Sequence, residues 1–339
     1  MTYPAANTHT RPGWGGANSD VSLHIEEHLG LVDASFMYSS KFASWMNVRS
    51  LRGTNQLRVD RVGASTIAGR KAGEELVVQK NVSDKLNLTV DTVLYARHFF
   101  DKFDEWTSNL DVRKETARED GIALARQYDQ ACIIQLQKCG GFRAPAHLKP
   151  AFHDGILLPS TISGAPADAA ADADILVAAH RKGVEALVFR DLGDQVMSEG
   201  VTLLDPVIFS FLLEHDRLMN VEFGAKEGGN SFVGGRIAML NGVRVVETPR
   251  FPQTAITANA LGADFNVTAA EVRRKMITFI PSMALISAQV HPVSAQFWEE
   301  KKDFGHYLDT FQSYNIGQRR PDAVAVHDLS LIHISEPTR

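Results

Sequence analysis

The residues with the clearest capacity for chemistry are His24, Glu27 and His28, in the run His24-Ile25-Glu26-Glu27-His28. The spacing fits His-x-x-Glu-His, the inverted zinc-peptidase motif. On a helix, positions four apart share a face, so both imidazoles could hold one zinc ion while Glu27 activates a water. Such a site needs a third protein ligand, and no downstream acidic helix stands out to supply it. The segment also follows an arm bearing Pro4, Pro12, Gly13, Gly15 and Gly16, which cannot bury a core by itself. A flexible lead-in is a poor mount for a rigid site. The expectation is a solvated helix face, with a zinc metallopeptidase as the remote alternative.

Other reactive groups give less. Cys132 and Cys139 are seven residues apart, on one helix face but two turns from each other, too far for a disulfide. They read as two reduced thiols. Gly228-Gly229 and Gly234-Gly235 hint at a phosphate cradle, but no Gly-Lys-Ser/Thr follows. The 12 histidines are scattered, and no Ser-His-Asp arrangement is legible. No catalytic, cofactor-binding or metal-binding residue is expected, and the chain reads as not an enzyme.

Bulk properties agree. The chain has 339 residues, 44% hydrophobic and 22% charged, enough for a sizeable core in one large domain or two or three lobes. Its 35 basic and 40 acidic residues leave a net charge of −5, which does not suit gripping nucleic acid by counterion release. The uncharged stretch 276–298 is interrupted by Pro281, Gln289, His291, Pro292 and Gln296, so no membrane span is expected. No charged-then-apolar leader is visible, and the chain reads as soluble when made.

The elements follow from periodicity. Residues 20–48 read as helical, with Asp20 as N-cap and Leu23, Leu29, Leu31, Phe36 and Phe42 as apolar surface. Residues 55–62 alternate, Leu57 and Val59 against Arg58 and Asp60, and Leu86, Leu88 and Val90 alternate again. Between them lies a polar tip with Gly63, Gly69 and Gly73. The whole predicts a long hairpin, marginal by itself in water and with no large apolar surface nearby to lie on. Ser108 to Asp111 forms a capping box, and Leu124, Tyr128, Cys132 and Leu136 recur every four residues until Gly140-Gly141. This predicts a helix over 112–138, about 40 Å long at ~1.5 Å per residue.

Residues 142–167, with Pro145, Pro150, Pro159 and Pro166, read as loop, and 167–192 as an alanine-rich helix. Val201–Leu204 reads as a buried strand, and Asp205-Pro206 opens a helix running to about Met219. Residues 225–235 form a glycine-rich loop, 236–247 a hairpin around Asn241-Gly242, and 276–280 and 283–290 buried strands. The class is α+β.

Three segments in this order resemble a known family. They are Asn109-Leu-Asp-Val-Arg113 leading into the long helix, Gly235-Arg-Ile-Ala-Met-Leu-Asn-Gly-Val-Arg-Val-Val-Glu247 before Thr248-Pro249-Arg250, and Tyr314-Asn-Ile-Gly-Gln-Arg-Arg-Pro-Asp-Ala-Val-Ala-Val326. From about residue 20 to 327 the chain resembles the tailed-bacteriophage major capsid proteins of the Hong Kong 97-type fold, and more narrowly those of Autographiviridae-like podoviruses. The resemblance implies an N-terminal arm and helix (1–48), an extended E-loop hairpin (52–97), and a peripheral domain with its spine helix (98–160, with returning strands 271–328). It also implies an axial domain over 175–270.

The implied function is building the icosahedral shell that encloses phage double-stranded DNA, without sequence-specific binding. The implied partners are further copies of the chain in pentamers and hexamers, a scaffolding protein and a portal protein. The implied location is the virion, assembled in the bacterial host cytoplasm. A hairpin without an apolar partner in its own chain would then lie on the next subunit. Residues 56–85 carry six basic against four acidic residues, on an acidic chain, which suits such docking.

Some shells of this fold cross-link lysine to asparagine, and Lys71, Lys80 and Lys85 sit in the right loop. The podovirus group is not known for this chemistry, and none is expected. An encapsulin-type nanocompartment is the alternative within the fold. The last eleven residues, Leu329-Ser-Leu-Ile-His-Ile-Ser-Glu-Pro-Thr-Arg339, match the translation of a transposase sequencing adapter. The expectation is that natural sequence gives way to adapter near Asp328.

Overall fold

The apolar repeat at Leu124, Tyr128, Cys132 and Leu136 does close into one long helix. In the computed structural model, which describes residues 31–63, 65, 67–76, 78, 82–102, 112–149, 151–165, 168–215, 239–300, 302 and 305–331, helix α2 spans Val112–Cys139. Ala117, Leu124, Ala125, Tyr128, Cys132, Leu136 and Cys139 are all buried along it. The chain turns away at Gly140-Gly141, where the Gly141 N–H donates to the Lys138 carbonyl at 3.0 Å.

Two sheets share this helix. The first has the order β1 (Val48–Ser50), β10 (Leu285–Glu300), β11 (Gly305–Gln318), β4 (Leu94–Asp101). The second has the order β5 (Ile156–Ile162), β12 (Val324–Leu331), β9 (Met276–Phe279), β6 (Val201–Leu204), β8 (Val243–Glu247), β7 (Met239–Leu240). The strands β2 (Gln56–Val62) and β3 (Ser83–Thr89) form a hairpin of their own. Period-two alternation sorts the second sheet's side chains. Leu203, Ile277, Phe279, Val324 and Val326 join the core beneath α2. Leu204, Met276, Ala325 and Leu329 face the other way, against helix α3 (Ala169–Val188) and the helices α4 (Gly193–Glu199) and α5 (Pro206–Leu212). With both faces covered, β6 and β9 are buried at every position, as a central strand between helices must be.

Helix α1 (31–39) crosses α2 at Gly121. A Cβ there would stand 1.8 Å from Ser35 Oγ and 2.5 Å from the Val32 carbonyl oxygen, so the approach requires glycine. Just beyond α1, Asp129 of α2 accepts hydrogen bonds from Ser40 Oγ at 2.6 Å and from the Lys41 and Phe42 backbone N–H groups at 3.0 and 3.3 Å. Burial pushes the Asp129 carboxyl up from its ordinary range, and these three donors pull it back.

Several local expectations hold. Asp205 caps α5 by accepting from the Val207 N–H at 3.0 Å, with Pro206 in the first turn. Asn241 (φ 48°) and Gly242 (φ 80°) make the left-handed two-residue turn between β7 and β8.

Others are corrected. In the described part of 20–48 only residues 31–39 are helical, because the chain breaks off to meet Asp129 and then pairs β1 with β10. The stretch 142–167 contains strand β5 despite Pro159, which an edge strand tolerates because one side needs no N–H. Helix α5 ends at Leu212, short of the expected Met219, and 216–219 lie outside the described residues. The strand expected over 283–290 is preceded by a helical turn, Pro281–Ala284, and runs sixteen residues, passing Pro292 through register shifts. The C-terminal motif is two strands, broken by a 3-10 turn at Pro321–Ala323. Strand β12 continues through Leu331, with Leu329 buried and pairing Ser160; a Leu-Ser-Leu alternation suits a strand whatever its origin.

Among the described residues no helix is long and apolar enough to cross a membrane.

Candidate assembly surfaces

The β2–β3 hairpin is the first surface. Leu57 pairs with Leu88 and Val59 with Leu86 across it. Its base is held by its own chain, which corrects the expectation of a wholly unsupported hairpin. Leu88 and Val90 are buried with Ala288, beside Leu51, Leu57 and Val290. Asn315 Nδ2 donates to the Thr89 carbonyl at 2.6 Å. Arg61 is buried: it donates to the Gln318 carbonyl at 2.6 Å, and its guanidinium lies 5.6 and 5.8 Å from the Phe142 and Phe152 ring centroids. Periodicity could not show these partners, because they come from β10, β11 and the proline-rich loop.

Beyond Val62 the character reverses. Ile67 is 96% exposed, Leu76 75% and Val78 93%. Lys71 and Glu74 close a small turn around Gly73, with the Lys71 N–H donating to Glu74 Oε2 at 3.0 Å. Three large aliphatic side chains in water on one loop go beyond the single exposed ones that need no explanation.

The outward face of β4, β11 and β10 is the second surface. Phe99, Tyr307 and Trp298 lie side by side across the three strands, with Tyr307 stacked on Trp298 at 5.7 Å. In the next row Arg97 makes a bidentate pair with Asp309, both bonds 2.7 Å, and its guanidinium sits 5.1 Å from the Trp298 ring. Tyr95 is exposed beside them. Trp, Tyr and Arg are the residues that anchor protein interfaces. The third surface is a shallow groove along α3 and α4, edged by Val188, Phe189 and Met197.

The residues singled out for chemistry fare differently. His24, Glu27 and His28, the paired glycines 228–229 and 234–235, Lys80, and the capping box at 108–111 lie outside the described residues. Lys71 and Lys85 are exposed on the hairpin. Cys132 and Cys139 are buried free thiols, and burial pushes both well above the usual thiol range. Ellman's reagent is therefore expected to label neither cysteine in the folded protein and both after denaturation. Fast labelling of either one before unfolding would contradict the burial. Among the described residues, no three His, Cys, Asp or Glu side chains gather as a metal cluster would require.

A long helix packed on two sheets thus stands beside an extended hairpin and exposed aliphatic and aromatic faces. Comparison with solved structures gives the family. The chain is 37% identical to the subunit in the asymmetric unit of the bacteriophage PhiM1 mature capsid, covering 97% of this chain and 100% of that one, with a TM-score of 0.78. The capsid of cyanophage P-SCSP1u matches at 17% identity over 86% of this chain and 88% of that one, TM-score 0.74. A virus-like particle from Pyrococcus furiosus matches at 12% identity over 89% and 98%, TM-score 0.52. The last two show the fold alone. No family model and no curated protein matches the chain. The chain belongs to the bacteriophage major capsid proteins of the Hong Kong 97-type fold. It is a capsid-forming structural protein, and its place is the virion.

Proposed function

We propose that copies of this chain close, as pentamers and hexamers, into an icosahedral shell around phage double-stranded DNA, in a podovirus of the Autographiviridae kind. Assembly would take place in the host cytoplasm with a scaffolding protein, and a portal would occupy one vertex. No catalytic step is needed: association energy does the work. The observation that carries the reading is the 37% identity to the PhiM1 capsid subunit along 97% of the chain. Residues 52–97 act as the E-loop, 98–160 with 271–328 as the peripheral domain, 175–270 as the axial domain and 1–48 as the arm. The net charge of −5 fits a wall around DNA better than a DNA grip.

The exposed apolar tip makes the testable contact. Ile67, Leu76 and Val78 dock on a neighbouring copy, so changing all three to lysine is expected to alter the free chain's stability by no more than about 0.5 kcal/mol per substitution. Coexpression with the scaffolding protein should then yield small oligomers in place of sedimenting shells. Normal shells from the triple variant, seen by negative-stain microscopy, would refute the docking.

The Pyrococcus particle keeps one alternative in view, an encapsulin-type compartment, because it shares the fold. Native particles that hold protein cargo and no DNA would favour it.

A further inference from the structure

On the face of the second sheet that meets α3, three polar side chains interrupt an aliphatic surface: Thr202 on β6, Thr278 on β9 and His327 on β12, each 0% exposed. Opposite them α3 presents His180, also 0% exposed, and Gly183. His180 is fully wired. Asn241 Nδ2 donates to its Nδ1 at 3.0 Å, and its Nε2 donates to Thr202 Oγ1 at 2.8 Å. Thr202 Oγ1 in turn lies 3.0 Å from Thr278 Oγ1. With Nδ1 accepting, the ring is neutral and carries its proton on Nε2.

His327 is the reverse. Neither ring nitrogen has a hydrogen-bond partner among the described residues. The ring lies so close to α3 that a Cβ on Gly183 would stand 2.8 Å from its Nε2. Among the described residues the carboxylates on the packed elements are engaged elsewhere. On α3, Asp172 accepts from the Ser163 and Gly164 N–H groups, Asp174 lies 3.1 Å from His215 Nε2, and Arg181 pairs outward with Glu185. On β12, Asp328 pairs with Arg273 at 3.4 Å. Strand β5 offers Leu158, β9 Met276 and Thr278, β6 Thr202, and the β7–β8 turn the Asn241 amide.

We propose that His180 and His327 form an acid release for α3: a proton on either ring breaks the α3–sheet contact and opens this side of the molecule, while the α2 side stays closed. A proton on His180 Nδ1 would meet the Asn241 amide N–H donor against donor, so the turn amide must rotate to present its oxygen or the contact must part. A proton on His327 would place a cation between helix and sheet with no acceptor. Burial already lowers His180 to about 4, and burial with His180 beside it lowers His327 to about 3. Since both folded values lie below the ordinary 6.5, stability is complete above pH 6.5 and falls as the pH drops toward 4 and then 3. Each ring alone weakens the folded state by up to about tenfold per pH unit in that window. The groove edged by Val188, Phe189 and Met197 rides on the same helices, so acid would remodel an outer surface.

The test uses the full-length chain unassembled, so it stands apart from shell formation. Deuterium exchange at histidine C2–H, read by mass spectrometry from pH 3 to 8, should place His180 and His327 at least one unit below free histidine, because the rings take up protons only as α3 opens. A midpoint near 6.5 for either in the folded protein overturns the proposal. Amide exchange should show α3 losing protection between pH 6 and 4 while α2 keeps it. In the His327→Leu variant that loss should move at least one unit lower, and an unmoved profile counts against the release. If this variant fails to fold, the wild-type C2–H midpoints and the order of α3 and α2 opening still decide.

Discussion

Gly121→Ala is expected to unseat helix α1 from α2. The added methyl would stand 1.8 Å from Ser35 Oγ and 2.5 Å from the Val32 carbonyl oxygen. The serine can swing aside, but the carbonyl belongs to the helix backbone, so α1 must retreat as a unit. Retreat exposes Val32, now 0% exposed, and Phe36, now 6% exposed with its ring 5.8 Å from Tyr128. Re-exposing two such side chains costs about 1.5–3 kcal/mol each, so a loss of about 3–6 kcal/mol is expected. In urea the midpoint should fall with the slope little changed, and limited proteolysis should begin to cut within 31–47. Adding Ser35→Gly should restore part of the loss and no more, since the carbonyl clash remains. A midpoint equal to wild type would mean the two helices do not cross at Gly121.

Asp129→Ala attacks the same joint through hydrogen bonding. One carboxylate holds Ser40 Oγ at 2.6 Å and the Lys41 and Phe42 N–H groups at 3.0 and 3.3 Å, and Ser40 and Phe42 are buried. Removing the acceptor strands these donors at about 1–3 kcal/mol for each one left unpaired. The expected loss is about 2–5 kcal/mol. Asp129→Asn should fall between, because its oxygen still accepts while its NH2 faces donors. The double variant Gly121→Ala/Asp129→Ala should lose less than the two singles together, since either change frees the same segment. Additive losses, measured by the same urea titrations, would show that α1 and the turn after it are held independently.

These joints also separate what was legible from what was not. The apolar four-residue repeat and Gly140-Gly141 placed α2 within a residue of its observed end at Cys139. Asn241-Gly242 and Asp205-Pro206 set a turn and a helix start by conformations and caps that involve only neighbours. The hairpin was legible as a hairpin, though not its seating, because Arg61 finds the Gln318 carbonyl 257 residues away. Strand β5 hid behind Pro159, which is tolerable only because β5 falls at an edge, and edge position is a property of the whole sheet.

The sequence by itself determined the local pieces, the α+β class and, through three ordered segments, the family. Periodicity and caps are sums over near neighbours, so they survive without knowledge of the fold. Which buried polar groups meet was decided by tertiary structure alone. Asp129 and Ser40 stand 89 residues apart, Thr202 and Thr278 76, His180 and Asn241 61. A residue's spacing tells which face it occupies and nothing of what covers that face. The twelve scattered histidines became a buried pair only when β12 was laid beside β9 and α3 across them both.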